Sequence, residues 1–253
     1  MVATPTAGER LAWSVAGLVA GVVASGVVGA AVLAAGGYDV AELGARGAAV
    51  GDAAMRVALG HLDVRRPGLA VLAVLQIPLW AGLLAPVWWG RRRGLDARRH
   101  LAWSARRGDI LWGTASGVVL QLLVVPAVYV PIFWAFGELD VEAPARSLVG
   151  RVDGPVDVVA LVIITVVGAP LVEEVFFRGL LHGALRDGVG VPAAVVVSSL
   201  VFAASHFQLV QLPALVVVGL AHAGWREGTG RLAPAVWSHV AFNTVTVVLL
   251  LGR

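Results

Sequence analysis

Leu171-Val172-Glu173-Glu174-Val175-Phe176-Phe177-Arg178-Gly179 sets two adjacent carboxylates and a guanidinium inside an apolar run that begins near Pro155. On a helix Glu174 and Arg178 are four apart and share a face, while Glu173 is turned off that face by one residue step. The spacing therefore predicts an ion pair between Glu174 and Arg178, with Glu173 directed elsewhere. Each ionisable group near the centre of a membrane span costs roughly 2.5–3.5 kcal/mol on insertion scales, so such groups mark a pathway or a site. A plain alternative is a structural ion pair that ties two helices together.

The rest of the chain makes the membrane reading firm. Of the 253 residues, 58% are hydrophobic and only 14% charged, and the mean hydropathy is +0.85. That balance excludes an ordinary soluble domain and predicts an all-α fold, a polytopic transmembrane helical bundle. Apolar runs place spans at about 11–35, 68–90, 110–136, 156–186, 191–207, 209–223 and 232–251. That is about seven spans, eight if the polar-to-amphipathic connection 36–67 adds an interfacial helix. The first run is too long for a cleaved signal peptide and reads as a retained helix. Pro126, Pro131 and Pro170 are expected to bend the helices that carry them. Two regions follow: 1–155, an N-terminal transmembrane region with an arginine-rich loop, and 156–253, the part that holds the polar motifs.

Every one of the 19 basic residues is arginine, and seven lie between Arg91 and Arg107. By the positive-inside rule that loop and the N-terminus are cytoplasmic, and the acidic connection 137–155 lies outside. The four arginines of 36–67 fall on the wrong side of this scheme. The arginine cluster suits anionic lipid headgroups. Hemmed in by spans, it does not suggest a nucleic-acid partner. The absence of cysteine excludes disulfides, thiolate metal sites and a cysteine nucleophile.

Further polar residues stand in the apolar C-terminal part, as Phe202-Ala203-Ala204-Ser205-His206 and His239-Val240-Ala241-Phe242-Asn243. Each motif spans one helical turn, so its ends share a face. An imidazole and a carboxamide on one inward face are two hydrogen-bond donors of the kind that line an oxyanion hole. A glutamate and a histidine from different helices can together hold and deprotonate a water. His182 and His222 read more simply as helix-to-helix hydrogen bonds. There is no His-Glu-x-x-His and no Gly-x-Ser-x-Gly. A zinc site made of Glu173, His206 and His239 stays open, although Arg178 beside it disfavours a dication.

The three motifs in order, Glu173-Glu174-x-x-x-Arg178, Phe202-x-x-x-His206 and His239-x-x-x-Asn243, resemble the signature of the CAAX protease and bacteriocin-processing (CPBP, or Abi) family over about 156–251. The resemblance implies an intramembrane endopeptidase of the plasma membrane of a prokaryote, acting on a peptide or protein substrate that is lipidated in some branches. It implies Glu173 as general base, His206 holding the water, His239 and Asn243 on the oxyanion, and Glu174 with Arg178 ordering the site. It implies no cofactor and no metal in the glutamate-dependent reading, with zinc kept open. The alternative is a non-catalytic membrane scaffold or immunity protein that binds a peptide or partner through the same polar cluster.

Overall fold

A computed structural model describes residues 4–37 and 67–252. Among them are nine helices and no strand. They are α1 (Ala7–Ala35), α2 (Leu69–Arg92), α3 (Ala97–Leu101), α4 (Arg107–Phe136) and α5 (Ala143–Val149), then α6 (Pro155–Val189), α7 (Val191–Ala204), α8 (Leu212–Thr229) and α9 (Ala233–Leu251). Five of these are long and apolar enough to cross a membrane: α1, α2, α4, α6 and α9. With the shorter α7 and with α8 they match the seven runs read from the sequence. The expected interfacial helix of 36–67 lies outside the described residues.

Three boundaries differ from the expected ones, each for a local reason. Helix α1 begins before Leu11 because Thr6 and Glu9 form a capping box, Thr6 Oγ1 accepting from Glu9 N at 3.2 Å and Glu9 accepting from Thr6 N at 2.8 Å. Helix α8 runs past Ala223 because buried Arg226 and its neighbour Glu227 remain helical, and Gly230 closes it in the left-handed region at φ 65°. Helix α7 stops at Ala204, so His206 sits on the turn that follows rather than on the helix.

Two wide-turn (π) segments end just before the prolines of their helices. Leu120–Val124 leads to Pro126, and Val162–Gly168 leads to Pro170. Proline has no N–H and its ring crowds the carbonyl four residues back, so the preceding turn opens instead of breaking. A third, Glu174–Leu181, holds no proline and coincides with the polar motif.

Helix α6 is the centre of the bundle. From Glu174 to Leu185 every residue is buried, with Phe176, Phe177 and Leu180 packed on Leu101, Leu83 and Phe202. Around it, helices approach closely where glycines remove the side chain. A Cβ on Gly82 would fall on the Gly21 backbone, and one on Gly117 would fall on Ser238 O. These contacts seat α1 on α2 and α4 on α9. The outward valines of α1 (15, 19, 23 and 27) and Ile110, Leu111 and Trp112 of α4 are exposed, as a lipid-facing surface requires.

The two ends of the bundle are chemically unlike. At one end the arginine-rich connection is held by Arg10 on Asp187 (2.6 Å), by Arg231 on Asp109 (2.6 Å) and by Leu232 N on Ala102 O (2.9 Å). Trp88 and Trp89 lie there under Arg92 and Arg93. At the other end Gln211 donates to Val141 O and Tyr129 to Val210 O, both at 2.7 Å, and Arg151 donates to Pro67 O at 2.5 Å.

Candidate active site

Glu174 is fully buried, and its Oε1 is the meeting point of three helices. His239 Nδ1 of α9 lies 2.9 Å from that oxygen, His222 Nδ1 of α8 lies 3.0 Å from it, and Arg178 Nη1 lies 3.3 Å from it. An ionised carboxylate only accepts, so beside the Arg178 guanidinium both imidazoles donate through Nδ1 and leave Nε2 as the acceptor nitrogen. The pairing of Glu174 with Arg178 expected from their spacing is present. Arg178 also donates to Gly219 O at 3.3 Å and lies 4.2 Å from the Phe202 ring centroid.

Glu173 faces differently. Its side chain lines a cavity of about 840 Å³ that is also lined by His206, His239 and Asn243. Glu173 Oε2 has no hydrogen-bond partner and sits 3.9 Å from His239 Nε2, too far for a direct bond. His206 donates through Nδ1 to Phe202 O at 2.8 Å, so its Nε2 is free to accept. Asn243 spends one amide hydrogen on Thr165 O at 2.7 Å. Phe202 is the pad beneath this group, its ring 5.3 Å from Phe177, 4.8 Å from His206 and 5.9 Å from His239.

The structure thus gathers Glu173, His206, His239 and Asn243 around one cavity, with Glu174 and Arg178 behind it. Among the described residues, the clustered metal donors differ from those weighed in the sequence. They are Glu174, His222 and His239, whose ligand atoms lie within 4.8 Å of one another and could hold a metal ion. His222, read from the sequence as a helix-to-helix hydrogen bond, makes one from α8 to Glu174 of α6, and that bond brings it into the site, which the sequence reading did not foresee. Its signal was weak but present: His222 and Arg226 lie four apart on the buried stripe of α8, which repeats the His239–Asn243 spacing.

A second buried group sits toward the arginine-rich end. His182 Nδ1 lies 3.1 Å from Ser198 Oγ and its Nε2 lies 2.9 Å from Glu227 Oε1, while Arg186 and Arg226 both lie 3.4 Å from Glu227. The residue types are those of a serine hydrolase, yet Ser198 and His182 have no exposed surface. The group ties α6, α7 and α8 together, which is the helix-to-helix role expected for His182.

This arrangement agrees with the sequence comparisons. Residues 155–245 match the family described as "Type II CAAX prenyl endopeptidase Rce1-like". The chain is also 28% identical over 91 residues, 36% of its length, to "Putative membrane peptidase YdiL" of Bacillus subtilis (strain 168). The match spans 37% of that relative's own length. No solved structure matches the chain. The matched stretch includes all six site residues named from the sequence, and α1 to α5 lie outside it.

Proposed function

We propose that this integral membrane protein is an endopeptidase in which Glu173 deprotonates a water that attacks a peptide carbonyl. The observation that carries the reading is the unpartnered Glu173 carboxylate at a cavity wall, 3.9 Å from His239 Nε2. A water about 2.8 Å from both atoms would subtend roughly 90° between them, close to the angle between its own O–H bonds. It would donate to both and aim a lone pair into the cavity. Both water hydrogens are then engaged, and His206 Nε2, an acceptor on the same cavity, is left for a substrate N–H.

Glu173 takes the proton as the water adds to the carbonyl carbon. The second amide hydrogen of Asn243 stabilises the oxyanion. His239 joins it once Nε2 holds the proton relayed from Glu173, and then passes that proton to the leaving amine. Glu174 fixes the ring of His239 through Nδ1, and Arg178 balances the charge of Glu174. A guanidinium 3.3 Å from the oxygen shared by both histidines opposes a dication there, which favours the glutamate-dependent chemistry over the metal-dependent one. The substrate is a peptide or protein, lipidated or not.

The test uses purified protein in detergent with a peptide library that includes lipidated members, each with and without a strong chelator. Glu173→Gln keeps the size of the side chain and removes the proton acceptor, so cleavage should fall by about 10²–10⁴-fold in folded protein. Asn243→Ala should cost about 10²–10³-fold. Retained cleavage in Glu173→Gln removes it as base. Loss of cleavage with chelator and recovery with zinc establishes the metal chemistry instead. Peptide binding without any cleavage establishes the scaffold reading.

A further inference from the structure

The cavity extends well beyond the reacting groups, and the composition of its wall is unusual for a membrane interior. Gln76 of α2, Gln121 of α4, and Gln208 and Gln211 of the connection between α7 and α8 all line it. Gln211 is used structurally, on Val141 O. Gln121 Oε1 and Gln208 Oε1 are buried and have no partner. An unmade hydrogen bond in a buried place costs as much as the group's desolvation, so polar atoms left this way are normally satisfied by something that is bound. A carboxamide both donates and accepts, which matches the C=O and N–H of one peptide unit. Two such groups on separate elements, ahead of Glu173, form a wall suited to an extended backbone.

Charge sets the second half of the inference. The titratable lining residues are Tyr129, Glu142, Glu173, His206 and His239; Glu142 is paired with Arg146 at 3.7 Å, and among the described lining residues themselves there is no arginine. A free C-terminal carboxylate entering beside Glu173 meets a carboxylate, and the described lining offers it no guanidinium.

Resting on the peptidase reading above, we infer that Gln121 and Gln208 form a peptide-backbone subsite that holds an extended, uncharged segment across Glu173, so that the bond cut is internal to the substrate rather than anchored by a free C-terminal carboxylate. The wall reaches Tyr129, Val141 and Gln211, so the segment enters from the end of the bundle opposite the arginine-rich connection.

The test compares wild type, Gln121→Met and Gln208→Met, which keep side-chain length and lose the carboxamide, on a neutral peptide that wild type cleaves. Each is expected to raise KM about two- to tenfold, with a smaller change in kcat, as the loss of one hydrogen bond implies. Methylating one backbone nitrogen of the peptide should weaken wild type by a similar factor and leave the matching glutamine variant unaffected. A C-terminally amidated peptide should be cut at least as well as its free-acid twin. Unchanged KM in both variants, or a tenfold preference for the free acid, overturns the subsite while wild-type cleavage keeps the peptidase reading. A library in which nothing is cut by wild type and nothing binds Glu173→Gln by fluorescence anisotropy overturns both.

Discussion

At the scale of single residues, the two glutamates illustrate how one step along a helix separates two environments. Glu174 is enclosed by two imidazole N–H groups and a guanidinium, while Glu173, its neighbour, is left unpartnered at the cavity wall. The partner most open to test is His222. Replacing it with leucine removes one of the two N–H donors on Glu174 Oε1 and should destabilise the protein by about 1–3 kcal/mol. Activity should fall with it, because His239 loses part of its anchor. His222→Asn, which keeps an N–H donor, should recover part of both, as read by thermal unfolding in detergent and by kcat. A leucine variant with wild-type stability and rate would remove His222 from the site. The motifs at Glu173, Glu174, Arg178, His206, His239 and Asn243 were legible in the sequence because each placed polar residues one turn apart in an apolar run. His222 was not, since a histidine in a span is most simply a satisfied hydrogen bond. The glutamines were invisible for a different reason: only the packing of α2, α4 and the 205–211 turn brings them to one wall.

At the scale of elements, the site depends on how closely α4 and α9 approach. Gly117 touches the backbone of Ser238 and Phe242, on either side of His239. Gly117→Val should lower stability by about 1–3 kcal/mol through overpacking and reduce kcat by up to about 10²-fold as His239 and Asn243 shift. Gly26→Val, where a Cβ meets nothing within 4 Å, serves as the control and should match wild type in both. The arginine-rich connection carries a pH-sensitive contact of its own. His100 Nδ1 accepts from Asp96 N at 2.8 Å, which needs the neutral ring, and burial holds its pKa below the ordinary value. The unfolded chain therefore binds the proton more readily, and this contribution to stability is present above about pH 6.5 and lost as the pH falls below it. Hydrogen-exchange protection across 96–103, measured against the intrinsic rate at each pH, should fall as the pH is lowered, and His100→Phe should flatten that dependence. A profile equally steep in the variant would assign it elsewhere. The five long spans were readable because crossing a bilayer takes about 20 apolar residues, whereas α7, at 14 residues, is shorter than that. Ends were less so: the Thr6–Glu9 box and the ion cluster at Glu227 extended α1 and α8 with polar residues that hydropathy discounts.

At the scale of the whole molecule, the bundle has a closed end and a hollow end. Ion pairs from Arg10, Asp109, Asp187 and Arg231 seal the first, and the cavity occupies the second. If the arginine-rich end is cytoplasmic, as its charge suggests, single cysteines at Ser104 and Glu138 should label from opposite faces. The chain contains no other cysteine to confuse the result. With a membrane-impermeant maleimide on intact cells, Glu138→Cys should react and Ser104→Cys should not. The reverse pattern would place the cavity mouth in the cytoplasm, and labelling of both from one side would undo the seven-span arrangement.

The open turns of α6 bear on how this protein can change over generations. Within Glu174–Leu181 the chain winds more loosely than the ordinary 3.6 residues per turn, so the helix carries surplus length at the point where its angular phase matters most. Deleting one residue there would let the coil tighten without breaking, and the protein could still insert and span. Because the tighter winding turns and rises further per residue, the residues after the deletion would keep nearly their former facing relative to Glu173 and Glu174. A change of length by one residue is therefore easier to absorb here than in an ordinary helical turn, so related chains that keep the chemistry can differ in this stretch in count as well as in letters.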